Sequence, residues 1–279
     1  MQLYVSRILL SLILSAIAMT ARGEGARVSL LTCGEGEIIY ELEGHTGLRI
    51  VDPRIGDMTV NWGVFDFAAP NFVYRFVKGE TDYMAAACPT ERFISSYRRQ
   101  GRTVREQVLA IDSLQAERLI EAVMINLRPE NRVYRYNYVL DNCATRPLAL
   151  IEKALGDTLT LGPSPLGDLE PRTFRNVMRH YHRNYPWYQF GIDTALGSGI
   201  DRPISERETA FAPVVMESML REAVKADGEQ LVTHEGYLVG GALTPAVIAA
   251  PTPWYLTPMA AACVVLALSV WVTFRQLRG

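Results

Sequence analysis

The chain has 279 residues, nearly half of them hydrophobic, and 28 Lys and Arg stand against 30 Asp and Glu. That length supports one sizeable domain with a real core. The balanced charge gives no electrostatic case for nucleic acid.

An uncharged run over 8–19 follows Arg7 and contains Ala16-Ile17-Ala18, so residues 1–23 read as a secretory signal peptide. The run is short for a membrane span, which takes roughly 20 residues; an uncleaved N-terminal anchor is the alternative. At the other end, 254–274 carries no charge, has Trp254 and Tyr255 placed as an interfacial belt, and is followed by Arg275 and Arg278. This reads as a transmembrane helix with a cytoplasmic tail over 275–279, since basic residues stay on the cytoplasmic side. Residues 24–250 then form one extracytoplasmic domain.

Within that domain, 28–32 is apolar and suits a buried strand. Residues 45–51 and 58–67 flank Asp52-Pro53 and Gly56-Asp57, which predicts a β-hairpin with a loop of roughly 4 to 6 residues. In its first arm His45, Gly47 and Arg49 share one face, while Thr46, Leu48 and Ile50 face the core. Residues 70–79 are aromatic-rich and read as a strand or binding edge, and 93–101 is basic and polar. A helical pattern spans 105–127, broken at Asp112-Ser113. An aromatic run then enters Asp141-Asn142-Cys143, and an apolar helical run follows over 148–155. Because Pro147 lacks an N–H and suits only the first turn, the helix is expected to begin near Thr145, capped by Asn142 or Thr145. Gly156 ends it. Further on, 173–185 reads as a basic helix and 186–191 as an aromatic loop. A capping box at Ser205–Glu208 opens a helix kinked at Pro213, and His234 falls in a loop. Hairpin strands and separate helices together predict an α+β domain.

The chemistry centres on Cys143. A thiol at a helix N-terminus is expected to have a lowered pKa. Of the other cysteines, Cys263 lies in the apolar tail, and Cys33 and Cys88 pair in one possible arrangement, which leaves Cys143 as the odd thiol. A nucleophilic thiol needs a base, and the base an orienting group. His180 and His182 point to different faces of one helix among Arg175, Arg179 and Arg183, and read as a solvated basic face. His45, between Gly44 and Thr46-Gly47, is the candidate base. Asn61 on the returning arm is the first candidate to orient it, with Asp66 as the second. No Gly-x-Ser-x-Gly elbow, phosphate loop, metal-ligand spacing or cofactor motif is present.

The segments Leu30-Leu31-Thr32-Cys33-Gly34, 44–50, 61–67, Asn71-Phe72, 134–138 and 141–147 together resemble the Lnb N-terminal periplasmic domain family over about residues 28–235. That family resembles circularly permuted papain/NlpC-like proteins, including lecithin–retinol acyltransferase, in which the histidine strand precedes an Asn-Cys helix. The resemblance implies an antiparallel sheet with the catalytic Cys143 at a helix N-terminus. It implies a lipoprotein N-acyltransferase without a cofactor or metal; with the single C-terminal span read above, the chain is expected in the inner membrane with its main domain in the periplasm. A phospholipid would be the acyl donor, the N-terminal amine of a lipoprotein the acceptor, and His45 the base. The same thiol suits an NlpC-like cell-wall peptidase or amidase, and a non-catalytic anchored envelope domain is the third reading.

Overall fold

A computed structural model describes residues 25–66, 68–244 and 249–278; the expected signal peptide lies outside them. Among the described residues, seven strands form one antiparallel sheet in the order β6-β4-β3-β2-β1-β5-β7. They are β1 (Arg27–Cys33), β2 (His45–Asp52), β3 (Gly56–Val64), β4 (Asp82–Pro89), β5 (Val104–Leu109), β6 (Val133–Arg135) and β7 (Val232–Val239). Alternation divides the sheet into two apolar faces. Val28, Leu30, Leu48, Ile50, Val60 and Trp62 face the main core. Leu31, Cys33 and Val104 face the other side, where Phe93 and Ile94 of helix α2 (Thr90–Arg99) cover them. Both faces of the centre are therefore buried, and the face carrying His45 is covered rather than open.

The β2–β3 hairpin forms as expected, but over three residues, 53–55, rather than four to six. The Asp52 carboxylate accepts from the Arg54 backbone N–H at 2.7 Å, and Gly56 takes a left-handed φ of 79°. These contacts close a tighter turn than the sequence suggested.

Other elements depart from their sequence readings for identifiable reasons. Residues Phe72–Val77 form a short helix, α1, because Phe72 and Phe76 stack one turn apart, with Phe72 packed on Phe65 and Tyr83. Residues Val104–Leu109 are strand, not helix. Their polar side chains are held on both sides: Glu106 and Arg105 pair with Arg49 and Glu217, and the Gln107 amide donates to Glu235 and the Glu217 carbonyl. Helix α3 (Ser113–Asn126) starts at Asp112, which forms a full capping box with Gln115. Helix α4 runs Thr145–Ala154, as Pro147 required, and α5 runs Phe174–His182. Residues Pro186–Leu196 are helix α6 rather than a loop, with Pro186 in the first turn, where a missing N–H costs nothing. Ser205 and Glu208 do form a capping box, but it opens only a short 3₁₀ turn, Arg207–Phe211. Pro213 then starts helix α7 (Pro213–Arg221) instead of kinking one. His234 lies in β7, not in a loop.

Cys33 and Cys88 are both free thiols. They lie on β1 and β4, three strand spacings or about 14 Å apart, well beyond disulfide reach. The pairing that singled out Cys143 as the odd thiol therefore does not form.

Beyond the domain, Pro258–Arg278 is an apolar helix, α8, of 21 residues with no buried residue and mean hydropathy 1.7. At 1.5 Å per residue it is about 31 Å long, which matches a hydrocarbon core of about 30 Å.

Candidate active site

Nearly every side chain of the Asp141–Arg146 turn is used to fix Cys143. The Arg146 guanidinium grips Asp141 through two bonds, at 2.5 and 2.8 Å, and lies over the Tyr134 ring at 3.5 Å. Asn142 is buried with its amide saturated. Its Oδ1 accepts from the Ala144 and Thr145 N–H groups at 2.8 and 2.9 Å, and its Nδ2 donates to the Tyr138 and Phe211 carbonyls. Thr145 Oγ1 in turn accepts from the Asn142 N–H at 2.8 Å. Asn142 is thus the cap of α4, and Cys143 sits in the turn before the first helical residue.

Cys143 meets the end of the sheet where β2 begins. The backbone N–H groups of Thr46 and of Cys143 itself lie near its sulfur and favour its negative charge. On the other side is Gly63, in a left-handed φ of 82°, where an added Cβ would stand 3.7 Å from Cys143 Cβ. The expected acidic thiol is not observed: burial pushes the Cys143 thiol up to about 11, aided by the Glu43 carboxylate and opposed by the Thr46 N–H. Magnitudes explain why. A helix N-terminus contributes about 0.3–1 kcal/mol. A rise of about 2 units over the ordinary value corresponds to roughly 2.7 kcal/mol, so burial wins. Cys33 and Cys88 are raised by burial as well. Cys33 is the cross-strand partner of His45 but is fully buried and does not line the cavity; what distinguishes Cys143 among the domain's thiols is that it opens into the same cavity as His45, not its acidity.

His45 opens β2 and lines the same cavity as Cys143. Its Nε2 lies 2.9 Å from Asn61 Oδ1, an acceptor, so Nε2 carries the hydrogen and Nδ1 the free lone pair. Burial pushes the imidazole down to about 4, with the Asn61 bond opposing and the nearby Arg102 cation assisting. At rest the cavity therefore presents a neutral imidazole and a neutral thiol. Asp66, the second candidate to orient His45, is exposed beyond the end of β3 and accepts from the Ala68 N–H. The structure brings His45, Asn61 and Cys143 to one end of the sheet and leaves Asp66 out.

Several neighbours were not singled out in the sequence. Tyr97 of α2 stacks beside His45, with centroids 6.5 Å apart and planes 16° apart. Buried Arg102 lies over Tyr97 and is held by Glu41 and the Gly34 carbonyl. His182, read as part of a solvated face, is fully buried, and its Nε2 lies 3.4 Å from the Glu43 carboxylate. Nothing in the local pattern marks these residues, because each acts through a partner far along the chain. The cavity that His45, Cys143, Tyr97, Arg102 and Glu43 line is about 280 Å³ and is walled by aromatic side chains, among them Tyr83, Tyr136, Tyr138 and Tyr188, with Phe72 and Phe76 of α1. An apolar cleft with a few convergent polar groups is the usual form of a small-molecule site.

The family model of the Lnb N-terminal periplasmic domain matches residues 16–179, a stretch that contains His45, Asn61 and Cys143. No curated protein and no solved structure matches the chain.

Proposed function

The chain belongs to the family of Lnb N-terminal periplasmic domains, and we propose that it is a thiol acyltransferase which carries an acyl group on Cys143. The core is read as a circularly permuted papain/NlpC-like one, a reading supported by the chain order of the His45 strand, then Asn61, then the Asn142-Cys143 turn. The single observation that carries the proposal is the shared cavity: Cys143, His45 and an aromatic wall suited to an acyl chain line one space. The exposed apolar helix α8 is consistent with a membrane-anchored periplasmic protein, which would hold the domain where phospholipid donors and lipoprotein acceptors reside.

The first half-reaction follows from the neutral pair. His45 Nδ1 takes the thiol proton as the sulfur attacks a phospholipid ester carbonyl. The resulting oxyanion is met by backbone donors at the sulfur, those of Thr46 and Cys143. The N–H groups of Ala144 and Thr145, which would otherwise serve, are consumed by Asn142. Collapse breaks the C–O bond, and His45 returns the proton to the departing lysophospholipid oxygen. A thioester remains on Cys143, and an amine acceptor discharges it to an amide.

The test uses the full-length chain in detergent micelles with phosphatidylglycerol and a diacylated lipopeptide bearing a free α-amine. Intact mass should show a fatty-acyl increment on Cys143, absent in Cys143→Ala, and the lipopeptide should gain one acyl chain. Release of peptide from cell-wall fragments without an acyl increment would turn the reading to the peptidase alternative.

A further inference from the structure

Next to the thiol lies a second proton-handling pair that the first half-reaction does not use. Glu43 lines the cavity two residues before His45, is nine-tenths buried, and its Oε1 has no hydrogen-bond partner. His182 is buried behind it, and its Nε2, 3.4 Å from that oxygen, is likewise without a hydrogen bond. The tautomer of His182 follows from its far side. Arg175 and Arg179 hold Asp193, whose carboxylate accepts from Gln189 Nε2 at 2.6 Å. Gln189 therefore presents Oε1 to His182 Nδ1, 2.9 Å away, and Nδ1 must be the donor. A neutral His182 then aims its bare Nε2 at a bare carboxylate oxygen. The Glu43 oxygen is thus left as an open, buried acceptor at the cavity wall, with an imidazole nitrogen behind it.

Around Glu43 the cavity is suited to a cation. Its other carboxylate, Glu41, is already paired with Arg102, whereas Glu43 lines the cavity together with Tyr136, Tyr138 and Tyr188. Buried carboxylate and aromatic faces together favour an ammonium group.

We propose that Glu43, backed by His182, is the acceptor-amine site: it binds the incoming ammonium and takes the proton that must leave before nitrogen can attack. This rests on the acyl-transfer reading of Cys143. An ammonium carries three hydrogens and no lone pair. Glu43 accepts one proton and shares it with His182. The freed amine attacks the thioester carbonyl, forming the C–N bond and breaking the C–S bond, and the second proton passes through His45 to the departing sulfur. The amide keeps the third hydrogen, and the Glu43–His182 proton is lost to water. Glu43 and His182 thereby act in the second half-reaction, with selectivity for a protonated amine over an uncharged nucleophile.

The test separates the half-reactions. Full-length protein is loaded with acyl from phosphatidylglycerol micelles and then discharged with either the free-amine lipopeptide or hydroxylamine, whose nitrogen is uncharged at neutral pH. Glu43→Gln removes a negative charge beside the thiol, so the Cys143 adduct should still accumulate. Its discharge to the lipopeptide should fall by about 10²-fold or more, while hydroxylamine discharges it near the parent rate. His182→Gln should show the same selective loss, and it carries the test if Glu43→Gln does not fold, as judged by its melting curve. Equal slowing with both nucleophiles, or discharge to the lipopeptide at the parent rate, overturns the amine site while leaving the thioester intact. A parent that never forms the adduct overturns the acyl-transfer reading and this one with it.

Discussion

His45 Nε2 bonds to Asn61 Oδ1 at 2.9 Å, although the strand register sets Gly47, not His45, opposite Asn61. The contact is a diagonal one, between side chains two positions out of step on the same sheet face. It is possible because His45 stands at the first position of β2, where the paired ladder with β3 has ended and the ring has room to lean across. Asn61 thus fixes both the tilt of the imidazole and its tautomer.

Removing that bond should impair the base without removing it. Asn61→Ala is expected to slow formation of the Cys143 acyl adduct by about 10²-fold, the usual cost of a misplaced catalytic group. His45→Ala should cost about 10²–10⁴-fold. Adduct formation by quenched-flow mass spectrometry distinguishes the two, and an Asn61→Ala protein as fast as the parent would remove Asn61 from the site.

The resting state is testable through the thiol itself. With Cys143 pushed up to about 11 and His45 down to about 4, no preformed thiolate–imidazolium pair exists at neutral pH. Iodoacetamide should therefore alkylate Cys143 slowly at pH 7, with a rate that climbs about tenfold per pH unit toward pH 10. A plateau between about pH 5 and about pH 8 would reveal an ion pair and contradict this.

His45 also sets an acid limit on stability. Its ordinary value is 6.5 and its folded value about 4, so the unfolded chain takes a proton that the folded one refuses. The contribution is fully present above about 6.5, declines as pH falls from there to about 4, and amounts to at most about 3 kcal/mol. Urea unfolding across that window should show a shallower pH dependence in His45→Gln than in the parent. Arg102→Met, which removes a cation pressing His45 downward, should narrow the window, and it should lower stability at every pH because Glu41 loses its buried partner.

Gly44 has the opposite signature, a local one. Its φ of 79° is left-handed, and an added Cβ would stand 2.6 Å from the Cys33 carbonyl oxygen. Gly44→Ala should cost at least about 1–2 kcal/mol from the backbone alone, a drop of roughly 2–8 °C in melting temperature. Relief of the clash must move the chain between Glu43 and His45, so activity should fall further than stability predicts. A variant with full activity and a lowered melting temperature would show that the His45 position tolerates the shift.

What the sequence disclosed and what it hid divide along one line. The β1–β3 alternation and the α4 start at Thr145 depend on neighbours close in the chain and were legible; the hairpin offered both Asn61 and Asp66 to His45, and only the assembled strands separate them. Residues 105–109 were read as helix because Arg105, Glu106 and Gln107 find their partners in Glu217, Arg49 and Glu235, which lie far away in sequence. His182 looked solvated among arginines for the same reason: Glu43 and Gln189 that bury it arrive from other elements. The thiol's acidity was misjudged because a helix end is visible in sequence, whereas desolvation is a property of the assembled cavity.

Helix α1 connects the cavity to whatever lies outside it. Phe72 and Phe76 line the cavity, while Val73, Tyr74 and Val77 on the same helix are more than half or about half exposed, at 61%, 64% and 50%. A six-residue helix that is apolar on both sides gains nothing from water on its outer side, but a bilayer surface or an entering acyl chain would cover it. Val73→Asp with Val77→Asp should leave folding intact, since neither residue is buried. Acyl transfer from phosphatidylglycerol vesicles should fall by about tenfold or more, as two charges are driven against hydrocarbon. Transfer from a soluble short-chain ester, which needs no bilayer contact, should continue near the parent rate. Equal loss with both donors would place the fault in the cavity wall through Phe72 and Phe76, and no loss with either would leave the outer face of α1 without a role in donor entry.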